Sequence, residues 1–540
     1  MAEPDVAPAP PATASRTDRW RALARRASVS EAFWSWTGPL LVTAFGGFLR
    51  FWRLDRPHKI IFDETYYVKE GISYLKYHVE MTLRDSLSAD PKKVNDTADL
   101  LLKAGRTDLF SDQPDRVVHP MVGKWMIAFG EWLFGPTSSF GWRFTAALCG
   151  TLSILMVGRI AHRMFGSALL ASTAALLLSV DGLHFVQSRT SILDVFVMFW
   201  ALAAFGCLLI DRDRTRRRLR AAVDARPEGS RPPALGPWSG PRWWRVAAVV
   251  CLGLCTGVKW SGLYFAAAFL ILSICWDAGA RRAAGVRHWQ AGALLVDGAQ
   301  AFVMTLVVYP AVYLATWVTW FTTPFGWNRQ WAATHPAGHG WGWVPASLRS
   351  LWHYHQETWA FHLALTEKHD WQANPWTWLI QGRPTLFFFD THTDGHAGCH
   401  VATCRQMITD LGNPLIWWAA TITVGFVALR WGLARDWRAG AALIGLVGGY
   451  LPWFLYQERT IFEFYAVAFV PWVVLSVTYC LGLLLGPRDT PPERRRKRVL
   501  LFGGYVLACV AMFFFFYPVL AARTIPQTGI DLRDWLPSWY

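Results

Sequence analysis

Residues 34–51, WSWTGPLLVTAFGGFLRF, followed by 52–64, WRLDRPHKIIFDE, decide the fold. The first part approaches the roughly 20 largely apolar residues that a helix needs to cross about 30 Å of hydrocarbon. It ends at Arg50-Phe51. About a dozen residues later Asp63 and Glu64 stand side by side between Phe62 and Tyr66-Tyr67. A spanning helix followed by an aromatic-flanked acidic pair places ionisable chemistry at a membrane edge.

The rest of the chain extends this reading. Of its 540 residues 53% are hydrophobic and only 17% charged, with 33 Trp and 34 Phe. A soluble domain carries roughly 25% charged residues, so solubilising charge is short. The composition is too apolar for disorder and holds no low-complexity repeat. Ten further apolar runs lie near 140–158, 168–184, 191–210, 243–258, 261–276, 293–317, 414–430, 439–456, 464–486 and 499–520. The run at 168–184 is the weakest, because Leu169–Val180 ends at Asp181. Lys259-Trp260 separates the fifth and sixth, as a tight loop or a broken helix.

A net charge of +15 admits a nucleic-acid partner, but its distribution argues against one. With the N-terminus inside, every basic cluster falls on one side: the Arg-rich tail, the 159–167 turn, the 211–242 loop, Arg281/Arg282/Arg287, Arg430/Arg435/Arg438 and the 494–498 run. Basic loops mark the cytoplasm, and the other side comes out nearly neutral. The expected fold is therefore an all-α polytopic membrane protein of about eleven spans, N-terminus cytoplasmic and C-terminus extracytoplasmic. Residues 1–33 read as a flexible cytoplasmic tail without a cleavage site, 34–520 as the membrane domain, and 521–540 as an extracytoplasmic tail. Two long segments, 52–139 and 318–413, face outside; loops of this length are usually functional. Pro120–Phe134 reads as an interfacial amphipathic helix or as the start of the second span.

Seven of the nine cysteines lie in or beside apolar runs and read as small buried hydrophobes. Cys399 and Cys404 sit in an outside loop, where an oxidising compartment allows a disulfide. Neighbouring Asp390, His392, Asp394, His396 and His400 leave a metal site open as an alternative, without a firm ligand spacing. Free thiols are the third reading.

Six ionisable residues fall at the outer ends of spans: Arg50, Arg143, Arg189, Asp194, Lys259 and Arg459. Each alone reads first as a side chain snorkelling to head groups. Together, around Asp63-Glu64, they suit a shared site in which Arg and Lys hold a phosphate at the membrane surface. A carboxylate at the edge of low-dielectric hydrocarbon gains basicity, as a general base requires. The dipeptide alone also fits a solvated acidic pair. No phosphate-binding glycine loop appears.

These residues resemble the protein O-mannosyltransferases, which have the type C glycosyltransferase fold. The resemblance covers most of the chain. It rests on Arg50…Phe62-Asp63-Glu64, His119-Pro120…Lys124, Arg143-Phe144, Ser188-Arg189…Leu193-Asp194, Gly257-Val258-Lys259-Trp260-Ser261-Gly262 and Arg459-Thr460-Ile461-Phe462…Phe464-Tyr465, in that order. It implies eleven spans and transfer of mannose, with inversion, from polyprenyl-phosphate-mannose to Ser or Thr hydroxyls of exported proteins. Asp63 would be the base and Glu64 its support. Arg50, Arg143, Arg189, Lys259, Arg459, His119 and Asp194 are the candidates for holding donor phosphate or sugar; His119 reads equally as a structural histidine. No metal or other cofactor is needed, because Arg and Lys supply the positive charge. Membrane lipids and, by resemblance only, the Sec translocon are further partners.

Residues 318–413 are too few to hold the large β-trefoil insertion of eukaryotic members, and a polar stretch at about 84–117 has no assigned counterpart. Arg outnumbers Lys 43 to 10, as in a high-GC genome. A bacterial, actinobacterial-type member of the plasma membrane follows, with its site on the extracytoplasmic face. The nearest alternative is a same-fold transferase that uses another polyprenyl-phosphate sugar, or a lipid or glycan acceptor. A transporter fits less well, since no inverted repeat is visible.

Overall fold

A computed structural model describes residues 31–227, 234–338, 340–487 and 490–539. The proposed 1–33 tail lies almost wholly outside the described residues. A helix stands at each of the eleven apolar runs. Eight are long and apolar enough to cross a membrane: Ser139–Phe165, Asp194–Asp224, Gly262–Ala283, Trp289–Ala315, Pro414–Ala434, Trp437–Leu455, Glu463–Leu485 and Pro492–Leu520. Ala168–Ser179 and Trp243–Val258 are apolar but shorter. Glu31–Phe51, 21 residues long, is diluted by Ser, Thr, Gly and Pro.

The sequence's weak points become structural breaks. The third run stops at Ser179 because Asp181 caps a second short helix, Gly182–Gln187, accepting from the His184 amide at 2.9 Å. At Lys259-Trp260 the break is a tight loop. Trp243–Val258 ends, Lys259 is extended, and Gly262–Ala283 begins. Gly262 is required there: a Cβ would lie 2.5 Å from the Thr256 backbone nitrogen. Val122–Phe134 is a helix of its own, set off from Ser139–Phe165 by Gly135 at φ +97°. It exposes Phe129, Trp132, Leu133 and Phe134.

The all-α expectation needs correction outside the helical body. Met81–Leu83 pairs with Phe110–Pro114, and Leu386–Thr393, Thr403–Thr409 and Ile525–Pro526 form a three-stranded antiparallel sheet. The Leu386–Phe389 run is a strand paired with Thr403–Thr409; at a register shift between Leu386 and Phe388, Phe387 and Phe388 are both buried while Phe389 is exposed. A disulfide joins Cys399 to Cys404 beside this hairpin, with Cα atoms 5.7 Å apart. The chain's end is not a loose tail. Ile525 and Pro526 complete the sheet, and buried Trp539 donates to the Gln381 carbonyl at 2.7 Å.

The other ends of the helices are tied by buried ions. Arg242 binds Asp211 and Asp277, Arg245 binds Asp277, and Arg281 pairs with Asp297 at 2.6 Å. All six side chains are nearly inaccessible. Removing one partner of such a network leaves a buried charge uncompensated, which typically costs about 3–5 kcal/mol. Asp277→Asn is therefore expected to lower the melting temperature in detergent clearly, while Arg220→Gln, in an exposed pair, leaves it unchanged within error; thermal unfolding of the two variants side by side checks this.

Candidate active site

The loop after the first helix is fixed by two arginines. Glu64, fully buried, accepts from Arg143 Nε and Nη2, both at 2.8 Å, in a bidentate pair. Its remaining lone pairs take the Ile61 and Ser191 amides at 3.1 and 3.0 Å. Arg143 reaches on to the carbonyls of Leu54, Pro57 and Lys59. Arg189 caps the end of Glu31–Phe51, donating to the carbonyls of Leu49, Arg50, Trp52 and Arg53; a cation suits the negative end of a helix. Arg50 binds the Gly46 and Ser179 carbonyls and His184 Nδ1. Phe62 stacks on Phe387, 4.6 Å between centroids, and ties this loop to the hairpin of the second segment.

All of this holds Asp63, the residue before the helix Glu64–Tyr77. Unlike Glu64, its carboxylate has no hydrogen-bond donor among the described residues; it does not even cap its own helix. Burial pushes the carboxyl up to about 6; the charge of Lys259 works against this and that of Asp194 with it. Such a group is ionised at neutral pH yet more basic than an ordinary aspartate.

Asp63 does not itself line the nearby cavity of about 800 Å³, but two residues that do, Lys259 and Asp194, act on its charge. Lys259, at the helix break, pairs with Asp194 at 2.7 Å. Arg459 lines the cavity too. One of its terminal nitrogens donates to His362 Nδ1 at 3.2 Å, which makes His362 Nε2 the donor to the Val118 carbonyl. Arg459 Nε has no partner among the described residues. His119 stacks against His362, 5.4 Å between centroids. Burial holds His119 well below its ordinary range, with Lys259 adding to the effect, and lowers His362 to about 4, with Arg459 adding. Both are neutral at pH 7, so Lys259 and Arg459 carry the cavity's positive charge. Aromatic rings form much of the rest, among them Trp260, Tyr313 and Tyr465. Leu263, Tyr309 and Pro310, from two apolar helices, also line the cavity.

Of the sequence candidates, the cavity thus gathers Asp194, Lys259, Arg459 and His119, with Asp63 near enough to feel the first two charges. Arg50, Arg143 and Arg189 are not among its lining residues. Arg143 and Arg189 donate to Glu64 and to backbone carbonyls, whereas Arg50 keeps a buried Nε with no partner among the described residues. Sequence reasoning missed His362 and the helix Ala346–Ala364 that carries it. The signal was present: Trp352, His355, Gln356, Trp359, His362 and Leu363 recur at helical spacing, and all line the cavity.

Comparison with known proteins first defines the class. The fold is that of a solved membrane glycosyltransferase, the Saccharomyces cerevisiae protein O-mannosyltransferase Pmt1–Pmt2 complex bound to the sugar donor. The TM-score is 0.66 at 13% identity, covering 96% of this chain and 94% of that one. Two family models then match: "Dolichyl-phosphate-mannose-protein mannosyltransferase" over residues 118–222, and "C-terminal four TMM region of protein-O-mannosyltransferase" over 347–539. A polyprenol-phosphate-mannose–protein mannosyltransferase of Mycolicibacterium smegmatis is 37% identical over 515 residues, 93% of each chain. The protein of that name from Corynebacterium glutamicum is 34% identical over 430 residues, 78% of this chain and 81% of its own. The chain belongs to the polyprenol-phosphate-mannose–protein mannosyltransferase family, a family of multi-pass membrane enzymes.

Proposed function

We propose that this protein moves mannose from polyprenyl-phosphate-mannose to Ser or Thr hydroxyls of exported proteins, at the outer face of a bacterial plasma membrane. The observation that carries this is one cavity whose lining combines side chains of two apolar helices with Arg459 and with Lys259, itself paired with Asp194, near a carboxylate that has no donor among the described residues. The isoprenoid lies along Leu263 and Tyr309, the phosphate meets Lys259 and Arg459, and the mannose faces Asp63. The acceptor hydroxyl attacks the anomeric carbon and gives its proton to Asp63. The bond to phosphate breaks, and its electron pair leaves on polyprenyl phosphate. Because phosphate leaves well once its charge is neutralised, no protonating acid is required, and one displacement inverts the anomeric centre. Glu64, with its acceptor sites filled, positions the loop. No metal ion or other cofactor enters this scheme.

We place the helices at the eleven apolar runs as eleven spans, with the N-terminus inside and the two long segments outside, on the one-sided distribution of the basic loops. The exposed apolar residues of Val122–Phe134 suit a helix lying at the outer interface. Anionic lipid and the export translocon are the surroundings this placement provides.

Membranes supplied with labelled polyprenyl-phosphate-mannose and a Thr/Pro-rich peptide are expected to yield α-mannosylated peptide. Label in glycolipid with the peptide unlabelled would instead favour a same-fold transferase with a lipid acceptor. Lys259→Ala and Arg459→Ala are each expected to lower kcat/KM about tenfold to a thousandfold, from lost charge stabilisation at the leaving phosphate; initial rates over a donor series measure this.

A further inference from the structure

A second cavity, about 440 Å³, lies between the helices Gly262–Ala283 and Trp437–Gly449. Arg212, Arg216 and Arg435 stand around it. Arg212 lies over the Trp437 ring at 3.4 Å and donates to Asp213, an acid that Arg163 also engages. Arg216 and Arg435 are exposed and have no hydrogen-bond or ion-pair partner among the described residues. The wall between the helices is apolar: Ile271, Leu272, Ile444 and Val447, with Ile271 63% exposed.

The place of this cavity follows from one helix. Asp194, in the first cavity, begins Asp194–Asp224, and Arg212 stands eighteen residues along it. At about 1.5 Å per residue this is about 27 Å, close to the roughly 30 Å hydrocarbon thickness. The two cavities therefore sit at opposite faces of the membrane. Three guanidiniums at the mouth of an apolar cleft, at the depth of head groups, complement a phosphodiester that carries an acyl chain.

We propose that this cleft holds one anionic glycerophospholipid of the inner leaflet, its phosphate on Arg212, Arg216 and Arg435 and one acyl chain along Ile271 and Val447. The site is separate from the donor cavity and does not depend on the reaction assigned there.

Native mass spectrometry of the full chain in detergent, with phosphatidylglycerol or phosphatidylcholine added, tests this. The expected result is one retained phosphatidylglycerol and little phosphatidylcholine. Arg216→Gln/Arg435→Gln is expected to reduce retention about tenfold or more, at about 1 kcal/mol for each basic residue. Gly279→Leu provides the second arm. Gly279 lines the cleft, and a Cβ there meets nothing within 4 Å, so this variant fills the site while keeping every charge. It too is expected to lose the lipid, with its melting temperature in detergent unchanged. Wild-type retention by Gly279→Leu would overturn the proposal, reducing the effect to general attraction between basic loops and anionic lipid. So would equal retention of both lipids. Displacement of the lipid by millimolar inorganic phosphate alone would show that the arginines hold a free anion, which would overturn it as well.

Discussion

Asp63→Asn is expected to lower transfer about a hundredfold to ten-thousandfold, the usual contribution of a positioned general base. The variant should insert and melt like the parent. The Asp63 side chain accepts no hydrogen bond from the described residues, so the amide disturbs no partner there, whereas the same change at Glu64 would disturb four hydrogen bonds from three residues. The pH dependence has a fixed sign. The active form is the carboxylate, and burial places its pKa at about 6. The rate of the chemical step should be flat near neutrality and fall toward tenfold per unit below about pH 6. His119 and His362, already neutral there, add no second limb in this range. Single-turnover rates between pH 5 and 8 test this, and in Asp63→Asn the limb should vanish with the activity.

Arg143→Ala carries the second large effect, on stability and activity together. Glu64 would remain fully buried without its bidentate partner, and breaking a buried pair costs about 3–5 kcal/mol. Three carbonyls of the 54–59 loop would also lose their donor. Arg143→Lys should rescue little, because an ammonium cannot reproduce the planar fork. The double variant Glu64→Leu/Arg143→Met removes both charges, and its melting temperature should recover substantially relative to Arg143→Ala. Its transfer should not recover, since the loop before Asp63 would lack its tether. Melting curves and transfer rates on the same preparations separate the two effects.

The residues that were legible in the sequence were those that violate their surroundings. Lys259 interrupts an apolar run, Asp194 opens one, and Asp63-Glu64 follows one; an ionisable group in hydrocarbon needs a reason. What the sequence could not distinguish was an arginine that binds a ligand from one that binds helix-end carbonyls. Arg189 and Arg143 have the same local sequence character as Arg459, yet they brace the Asp63 loop while Arg459, at the cavity, keeps an Nε with no partner among the described residues. His362 was hidden for another reason. Its segment is dense in Trp and His, a composition that equally suits a membrane interface, so the helical stripe with which Ala346–Ala364 lines the cavity does not stand out. The hairpin at 386–409 was hidden in the same way, its strand signal lost among aromatics. The helical body was the most legible part, because twenty-residue apolar runs have few alternative structures.

A structure with polyprenyl-phosphate-mannose bound tests the central claim most directly. It should show the phosphate within hydrogen-bond distance of Lys259 and Arg459, the isoprenoid beside Leu263 and Tyr309, and the anomeric carbon open to attack from the Asp63 side. A donor phosphate held elsewhere, with Asp63 remote from the anomeric carbon, would contradict the account.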